Sequence, residues 1–204
     1  AIARILGQMG ADVAINHLAA AAAAAQVADD LRARGRRAAV FDVDVARRDV
    51  AAALVAPAVA ELGPIDVLVV SAARSVYATL EEARDEDIDA QIETNFKATV
   101  RLLNAVVPAM AQRGFGRVVT IGSIVQEAPL PVLPIYGAMK AAHLALIREE
   151  AVRWAARGVT FNNVSPGLIR TERNAWRRAP GGDWDAFARS CSFAGRAGEP
   201  DRVR

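Results

Sequence analysis

What this 204-residue chain lacks narrows it first. It has one cysteine, Cys191, which excludes an internal disulfide and a thiolate metal cluster and suits a reducing, cytoplasmic setting. No apolar run reaches the ~18 residues that a membrane helix needs. No secretory signal opens the chain, because a basic flank, an apolar stretch and a cleavage-like site are all missing from its start. The formal net charge is only +2 and is spread along the chain, so no basic patch marks a nucleic-acid partner. Lysine occurs twice, at Lys97 and Lys140, and tyrosine twice, at Tyr77 and Tyr136. There is no opening methionine: Ala1 already lies inside a helical pattern, which reads as a fragment. What is present, 53% hydrophobic and 24% charged residues, is the composition of a globular protein of one domain.

The apolar residues alternate between two periods. Ile2, Ile5, Leu6 and Met9 recur at helical spacing with Gly10 as a C-cap, and Val13 to Asn16 follows as a strand. Ala19 to Arg34 reads as an alanine-rich helix closed by Gly35. Ala38 to Phe41 is a strand running into Asp42-Val43-Asp44-Val45, and Val50 to Leu62 is a helix closed by Gly63-Pro64. The unbroken run Ile65 to Val70 predicts a strand buried on both faces. A long amphipathic helix, Glu86 to Met110, precedes a strand from Arg117 to Ile121; a helix from Tyr136 to Ala156 and a strand from Val159 to Val164 close the alternation. Strand and helix in strict turn imply right-handed crossovers and an α/β, doubly wound parallel sheet, Rossmann-like, in a single domain over 1–204. After Gly167 the pattern changes. The polar segment 171–192, with Gly181-Gly182 and the apolar teeth Trp176, Trp184 and Phe187, reads as a substrate flap.

In such sheets ligands sit at the carboxyl ends of the strands. Ser123 stands two residues past the strand ending at Ile121, Tyr136 thirteen residues on, and Lys140 four beyond that. Tyr136 and Lys140 therefore share one face of a helix. With so few tyrosines and lysines, a pair at this spacing arises by chance in roughly 2% of shuffled chains, and a serine at a fixed offset upstream makes it far rarer. The residue types fit one another. Tyrosine alone is a poor acid–base group at neutral pH, but a neighbouring ammonium favours the phenolate. A serine hydroxyl can hold a carbonyl or alcohol oxygen. Such a set moves a proton onto or off an oxygen while a hydride moves at the attached carbon, and since no side chain donates hydride, a nicotinamide cofactor is implied.

On these residues the chain resembles the short-chain dehydrogenases/reductases, of the bacterial kind similar to 3-oxoacyl-carrier-protein reductases, over essentially its whole length. The resemblance implies a catalytic set of Asn95, Ser123, Tyr136 and Lys140, with Asn95, in Thr94-Asn-Phe-Lys, holding a water that links the lysine to solvent. It implies that Pro166, Gly167, Ile169 and Thr171 contact the nicotinamide end, that Asp44-Val45 meets the adenine, and that Asp66 opens the next strand. Ser71, Ala72 and Ala73 stand where the family has its Asn-Ala-Gly turn, and Ala73 in place of glycine narrows the backbone's approach to the cofactor.

By the same resemblance the Gly-rich pyrophosphate turn and the first strand, which should lie mid-sheet, precede Ala1, and a final helix and strand follow Arg204. The expectation is a sheet without its first and last strands, and a 204-residue piece that binds cofactor poorly. Asn16-His17-Leu18 carries no carboxylate to repel a 2′-phosphate, which favours NADP(H), with NAD(H) possible and His17 a candidate phosphate contact. The substrate pocket is expected along 125–135 and the flap. Glu127 is the one charge of that loop and disfavours anionic substrates there. The two long helices pair across subunits in the family, so a homotetramer or dimer is expected, with a small carbonyl or alcohol substrate and neither nucleic acid nor membrane as partner. The alternative is a catalytically silent nucleotide-binding or regulatory member of the fold, supported by the altered 70–73 turn. A lyase or epimerase would call for a longer C-terminal lobe.

Overall fold

The computed structural model of the chain describes residues 1–178, 183–192 and 194–200. Gly181, Gly182 and Arg204 lie outside them. The apolar periods set the order of elements: α1 (Ile2–Gln8), β1 (Val13–His17), α2 (Ala21–Arg32), β2 (Ala38–Asp42), a π-helical turn Ala51–Val55 leading into α3 (Ala56–Leu62), and β3 (Val67–Val70). Then come α4 (Asp85–Ile92), a second π-helical turn Glu93–Lys97, α5 (Ala98–Gln112), β4 (Gly116–Ile121), α6 (Pro134–Trp154), β5 (Val159–Val164) and α7 (Trp184–Cys191). The long helix expected over 86–110 is thus one helical run with a π turn in its middle, a feature that residue periodicity does not announce.

Every ladder is parallel. β1 pairs with β2, with His17 opposite Asp42. β4 sits between β3 and β5, with Val67 opposite Arg117 and Ile121 opposite Val164. The sheet is an α/β, doubly wound one, but its strands form two pieces, β1-β2 and β3-β4-β5, with no ladder joining them among the described residues. This corrects the picture of β3 as a strand covered on both faces. Val67 at its start is 38% exposed, and Leu68 and Val69 are only partly buried.

The core forms where α5 and α6 lie against the three-stranded piece. Leu103, Val106, Val107 and Met110 recur on one face of α5 and pack with Val118, Ile147 and Val159. Each such side chain contributes roughly 1.5–3 kcal/mol on burial. A second cluster, Val50, Val70 and Leu102 with Val43 packed against it, brings the end of β2 beside the end of β3. Gly158 closes the short 3-10 turn Ala155–Arg157 after α6 at φ +76°, and a Cβ there would strike the Gly114 carbonyl, so glycine alone lets the chain enter β5. The alanine run begins its helix two residues later than expected. Ala19 holds φ +54°, and the Ala20 N–H donates to His17 Nδ1, so 18–20 is a turn.

Candidate active site

β4 delivers the site. Its chain leaves the sheet through Gly122, where a Cβ would come within 2.5 Å of Asn163 Oδ1 and 2.7 Å of Gln126 Oε1. A side chain there would have to push the Asn163 and Gln126 amides aside. Ser123 follows in extended conformation and caps the short turn Ile124–Gln126: its Oγ accepts the Val125 N–H at 3.4 Å, while Gln126 Oε1 accepts the Ser123 N–H at 3.3 Å. Behind it runs a polar chain that fixes the turn. Gln126 Nε2 donates to Ser165 Oγ, Ser165 Oγ to Asn163 Oδ1, and Asn163 Nδ2 to Thr120 Oγ1, each at 2.9 Å. Ile124 N–H also donates to the Pro166 carbonyl, so the exits of β4 and β5 are tied together. Sequence reasoning missed Gln126, Asn163 and Ser165. The signal was Asn162-Asn163 inside an otherwise apolar strand.

α6 supplies the other two groups. Pro134 starts it, where a missing N–H costs nothing. Tyr136 and Lys140 then lie one turn apart. Lys140 is 2% exposed; its Nζ donates to the Ile121 carbonyl at 2.7 Å and stands 5.7 Å from the centre of the Tyr136 ring. The first turn of α6 packs on the Ser123 turn, since a Cβ on Gly137 would lie 3.4 Å from the Val125 carbonyl. The other lysine, Lys97, pairs with Glu93 at 2.6 Å on a half-exposed helix surface. Of two lysines, one is a surface ion pair and one is a buried ammonium fastened to the strand that carries Ser123.

Asn95 sits in the π turn and is buried at 1% exposure. Its Oδ1 accepts the Arg74 N–H at 2.9 Å, and its Nδ2 donates to the Arg74 carbonyl at 2.7 Å. The side chain thus clasps the loop that leaves β3 with Ser71, Ala72 and Ala73. Gln91, one turn earlier, accepts the Val76 N–H with its Oε1. His143, one turn beyond Lys140, is 2% exposed, and neither ring nitrogen has a hydrogen-bond partner. Burial, reinforced by the Lys140 ammonium, pushes its pKa down to about 4.

At the β1 and β2 ends stands His17. Its side chain is 9% exposed, and its Nδ1 lies 3.3 Å from Asp42 Oδ1. The same Nδ1 accepts the Ala20 N–H at 3.3 Å. Asn16 clasps Val43 through both its amide groups. Asp44 accepts the Ala46 N–H, and Val45 is buried. Past β5, Gly167 is open, with nothing within 4 Å of an added Cβ. Ile169 bridges to Gly198, and Thr171 N–H donates to Asn174 Oδ1. Asn174 also accepts from Arg178 and donates to the Ile169 carbonyl, which fastens the base of the flap.

The mouth is expected along 125–135 and the flap. A cleft of about 370 Å³ is lined by Ser75, Tyr77, Thr171, Asn174 and Trp176. Only Trp176 of the three expected teeth lines it. Trp184 is buried and packs on Phe187 at 6.1 Å, because α7 is amphipathic and turns its apolar face inward. The stretch 125–135 contributes no lining residue; it meets the opposite loop through the hydrogen bond from Ala78 N–H to the Val132 carbonyl. Tyr77, the second tyrosine, is therefore a residue of the mouth that the sequence did not single out.

Parallel strands that end together on a serine, a tyrosine and a buried lysine define a Rossmann-like α/β domain of the Ser–Tyr–Lys kind. The family described as short chain dehydrogenase matches residues 1–180. The chain belongs to that family of oxidoreductases. Among relatives, it is 41% identical over 119 residues to a bovine protein named dehydrogenase/reductase SDR family member 4, covering 58% of this chain and 43% of that one. It is 30% identical over 168 residues to the 3-oxoacyl-[acyl-carrier-protein] reductase of Staphylococcus epidermidis, covering 82% of this chain and 69% of the relative. Among solved structures, an Agrobacterium tumefaciens 3-oxoacyl (acyl-carrier-protein) reductase with NADP bound matches with a TM-score of 0.92 and 34% identity, over 99% of this chain and 78% of that one. The L-sorbose reductase of Gluconobacter frateurii, complexed with NADPH and L-sorbose, matches with a TM-score of 0.89 and 28% identity, over 99% of this chain and 80% of that one.

Proposed function

We propose that the protein transfers a hydride between NADP(H) and a carbonyl or secondary alcohol, with Tyr136 as the acid–base group. The observation that carries this is Lys140: a buried ammonium, held by the Ile121 carbonyl and one helical turn from Tyr136. In reduction the Tyr136 hydroxyl gives its proton to the substrate oxygen; in oxidation the phenolate takes it back. Ser123 donates to that same oxygen and fixes its position, its own Oγ being steadied by the Val125 N–H. Lys140 favours the phenolate through its charge. Asn95 keeps the 71–76 loop at the site through its two bonds to Arg74.

The reduced nicotinamide supplies the hydride when bound. Pro166, Gly167, Ile169 and Thr171 would hold its nicotinamide end beside Tyr136 and Lys140, and the open backbone at Gly167 suits the close approach of a flat ring. Ser71, Ala72 and Ala73 would lie along its middle, Asp44 and Val45 at its adenine, and His17 near the ribose. NADP(H) rather than NAD(H) is supported by the missing carboxylate at 16–18 and by the NADP or NADPH in the two structures named above. The Asp42 carboxylate beside His17 is the one local feature that opposes a 2′-phosphate. Relative affinities for NADPH and NADH, measured on the full natural chain, decide the matter, and a clear preference for NADH overturns the NADP(H) assignment.

A cytoplasmic homotetramer or dimer fits this reading. Val152 on α6 is 84% exposed, an apolar side chain on a helix face suited to pairing with a second subunit. Light scattering tests it, and a monomeric mass contradicts it. The reaction itself is tested by a substrate-dependent change in nicotinamide absorbance that Tyr136→Phe abolishes. Cofactor binding without turnover of any carbonyl would instead identify a silent member of the fold.

A further inference from the structure

Beside the cleft stands a cation that the catalytic set does not use. The Arg177 guanidinium stands 4.2 Å from the Trp176 ring centre, 4.2 Å from that of Phe187 and 5.3 Å from that of Tyr77. Tyr77 and Trp176 meet edge-on at 6.3 Å, and both line the cleft with Ser75, Thr171 and Asn174. Among the described residues Arg177 has no carboxylate within ion-pair distance and no hydrogen bond. Its neighbours are committed elsewhere: Arg178 donates to the Thr171 carbonyl and to Asn174 Oδ1, Arg170 pairs with Glu199, and Arg74 lies 3.6 Å from Asp87.

A guanidinium stays charged at any working pH and carries its five N–H donors in one plane. Rings hold such a cation by their π faces and offer its N–H donors no oxygen acceptor, so a ligand can supply one. The fork matches an oxyanion, and a charge-assisted bidentate pair is the strongest bond such a group makes. The segment 170–178 holds four arginines against one glutamate, so the flap also attracts anions at a distance. The expectation drawn from Glu127 is the opposite one.

We propose that the Tyr77–Trp176 cleft takes carbonyl substrates bearing an anionic end, a carboxylate in the first place, with Arg177 as its receptor and the Tyr77 and Trp176 rings holding the apolar stem. The proposal rests on the reductase reading and adds the substrate class. Its test compares matched pairs on the full natural chain with NADPH: acetoacetate against methyl acetoacetate, levulinate against methyl levulinate, and dihydroxyacetone phosphate against dihydroxyacetone.

The acid is expected to exceed its ester in kcat/KM by about tenfold or more, and Arg177→Met to collapse that ratio by about tenfold to a hundredfold through KM. Arg177→Lys, which keeps the charge but loses the fork, retains part of it. A preference confined to the phosphate pair would assign the site to phosphorylated substrates and overturn the carboxylate. Equal loss on acid and ester in Arg177→Met would make the stack a mere clasp between flap and loop, and overturn the proposal. Levulinate quenching of tryptophan fluorescence reads binding without turnover. Quenching that disappears in Arg177→Met, with no carbonyl reduced, would keep the anion site and sink the reductase reading; turnover of esters with no acid preference would do the reverse.

Discussion

The catalytic centre and the mouth beside it are built in opposite ways. Ser123, Tyr136 and Lys140 stand on a strand end and a helix anchored in the main core, and their supports are hydrogen bonds: those of the buried side chains Lys140 to Ile121 and Asn95 to Arg74, and the chain from Gln126 to Thr120. The mouth is assembled from loops. Tyr77 comes from the segment after β3 and Trp176 and Arg177 from the flap, and what joins them is ring against ring and ring against guanidinium at a half-exposed surface. A buried hydrogen bond fixes a direction, whereas stacking on an exposed ring tolerates sliding. The centre is therefore suited to a fixed reaction geometry and the mouth to adjustment around a substrate. Changes at the centre should act on kcat, and changes at the mouth on KM.

The largest expected effect tests the centre. Tyr136→Phe removes the proton donor alone and should lower kcat by about 10²–10⁴-fold with cofactor affinity nearly unchanged. A variant that kept a tenth of the activity would break the contrast at once. Next comes His143, whose ring is buried uncharged beside Lys140. An unfolded chain takes up a proton on this imidazole near its usual value of 6.5, but the folded one only near about 4. Stability is therefore undiminished above pH 6.5 and falls as pH drops toward 4, by about 3 kcal/mol over that span. His143→Leu should flatten this acid limb in denaturant melts at stepped pH. An unchanged limb would mean that the imidazole is reached by water.

Asn95→Ala leaves the Arg74 N–H and carbonyl without their partner and should cost about 1–3 kcal/mol locally. Hydrogen exchange at Arg74 and Val76 would quicken and kcat would fall, while the protection of α5 stays as it was. Loss of protection throughout α5 would show that Asn95 holds the helix rather than the loop. The smallest effect belongs to the mouth. Tyr77→Leu removes the edge-on pair with Trp176, worth about 0.5–1.5 kcal/mol, and should raise KM several-fold with kcat within about twofold. A kcat loss as large as that of Asn95→Ala would erase the distinction between the two regions.

The same contrast explains what could be read from the chain. Tyr136 and Lys140 were legible because helical spacing alone puts i and i+4 on one face, and Ser123 because a strand end is fixed by its own apolar run. The doubly wound order followed from alternation of periods. The π turn that seats Asn95 was not legible, since the residues 93–97 are as compatible with an ordinary helix as with a widened one. The break of the sheet between β1 and β3 agrees with the expectation of a sheet without its mid-sheet first strand. Asp42 reaches His17 only through the parallel register of β1 and β2, so a search for a carboxylate at 16–18 passed over it. The lining of the cleft was not legible for a like reason. Apolar residues in 125–135 and at Trp184 and Phe187 looked like lining, yet Trp184 is used for packing and Tyr77 lines the cleft instead.

The most direct measurement follows the hydride and the proton together. The full natural chain is given NADPH deuterated at the transferring position of the nicotinamide, with a simple keto acid as acceptor, and the product alcohol is read by mass spectrometry. The account predicts one deuterium on the carbinol carbon with the intact protein and no labelled alcohol with Tyr136→Phe. Labelled alcohol formed at an undiminished rate by Tyr136→Phe, or bound NADPH and no labelled alcohol from any carbonyl with Tyr136 in place, would contradict it.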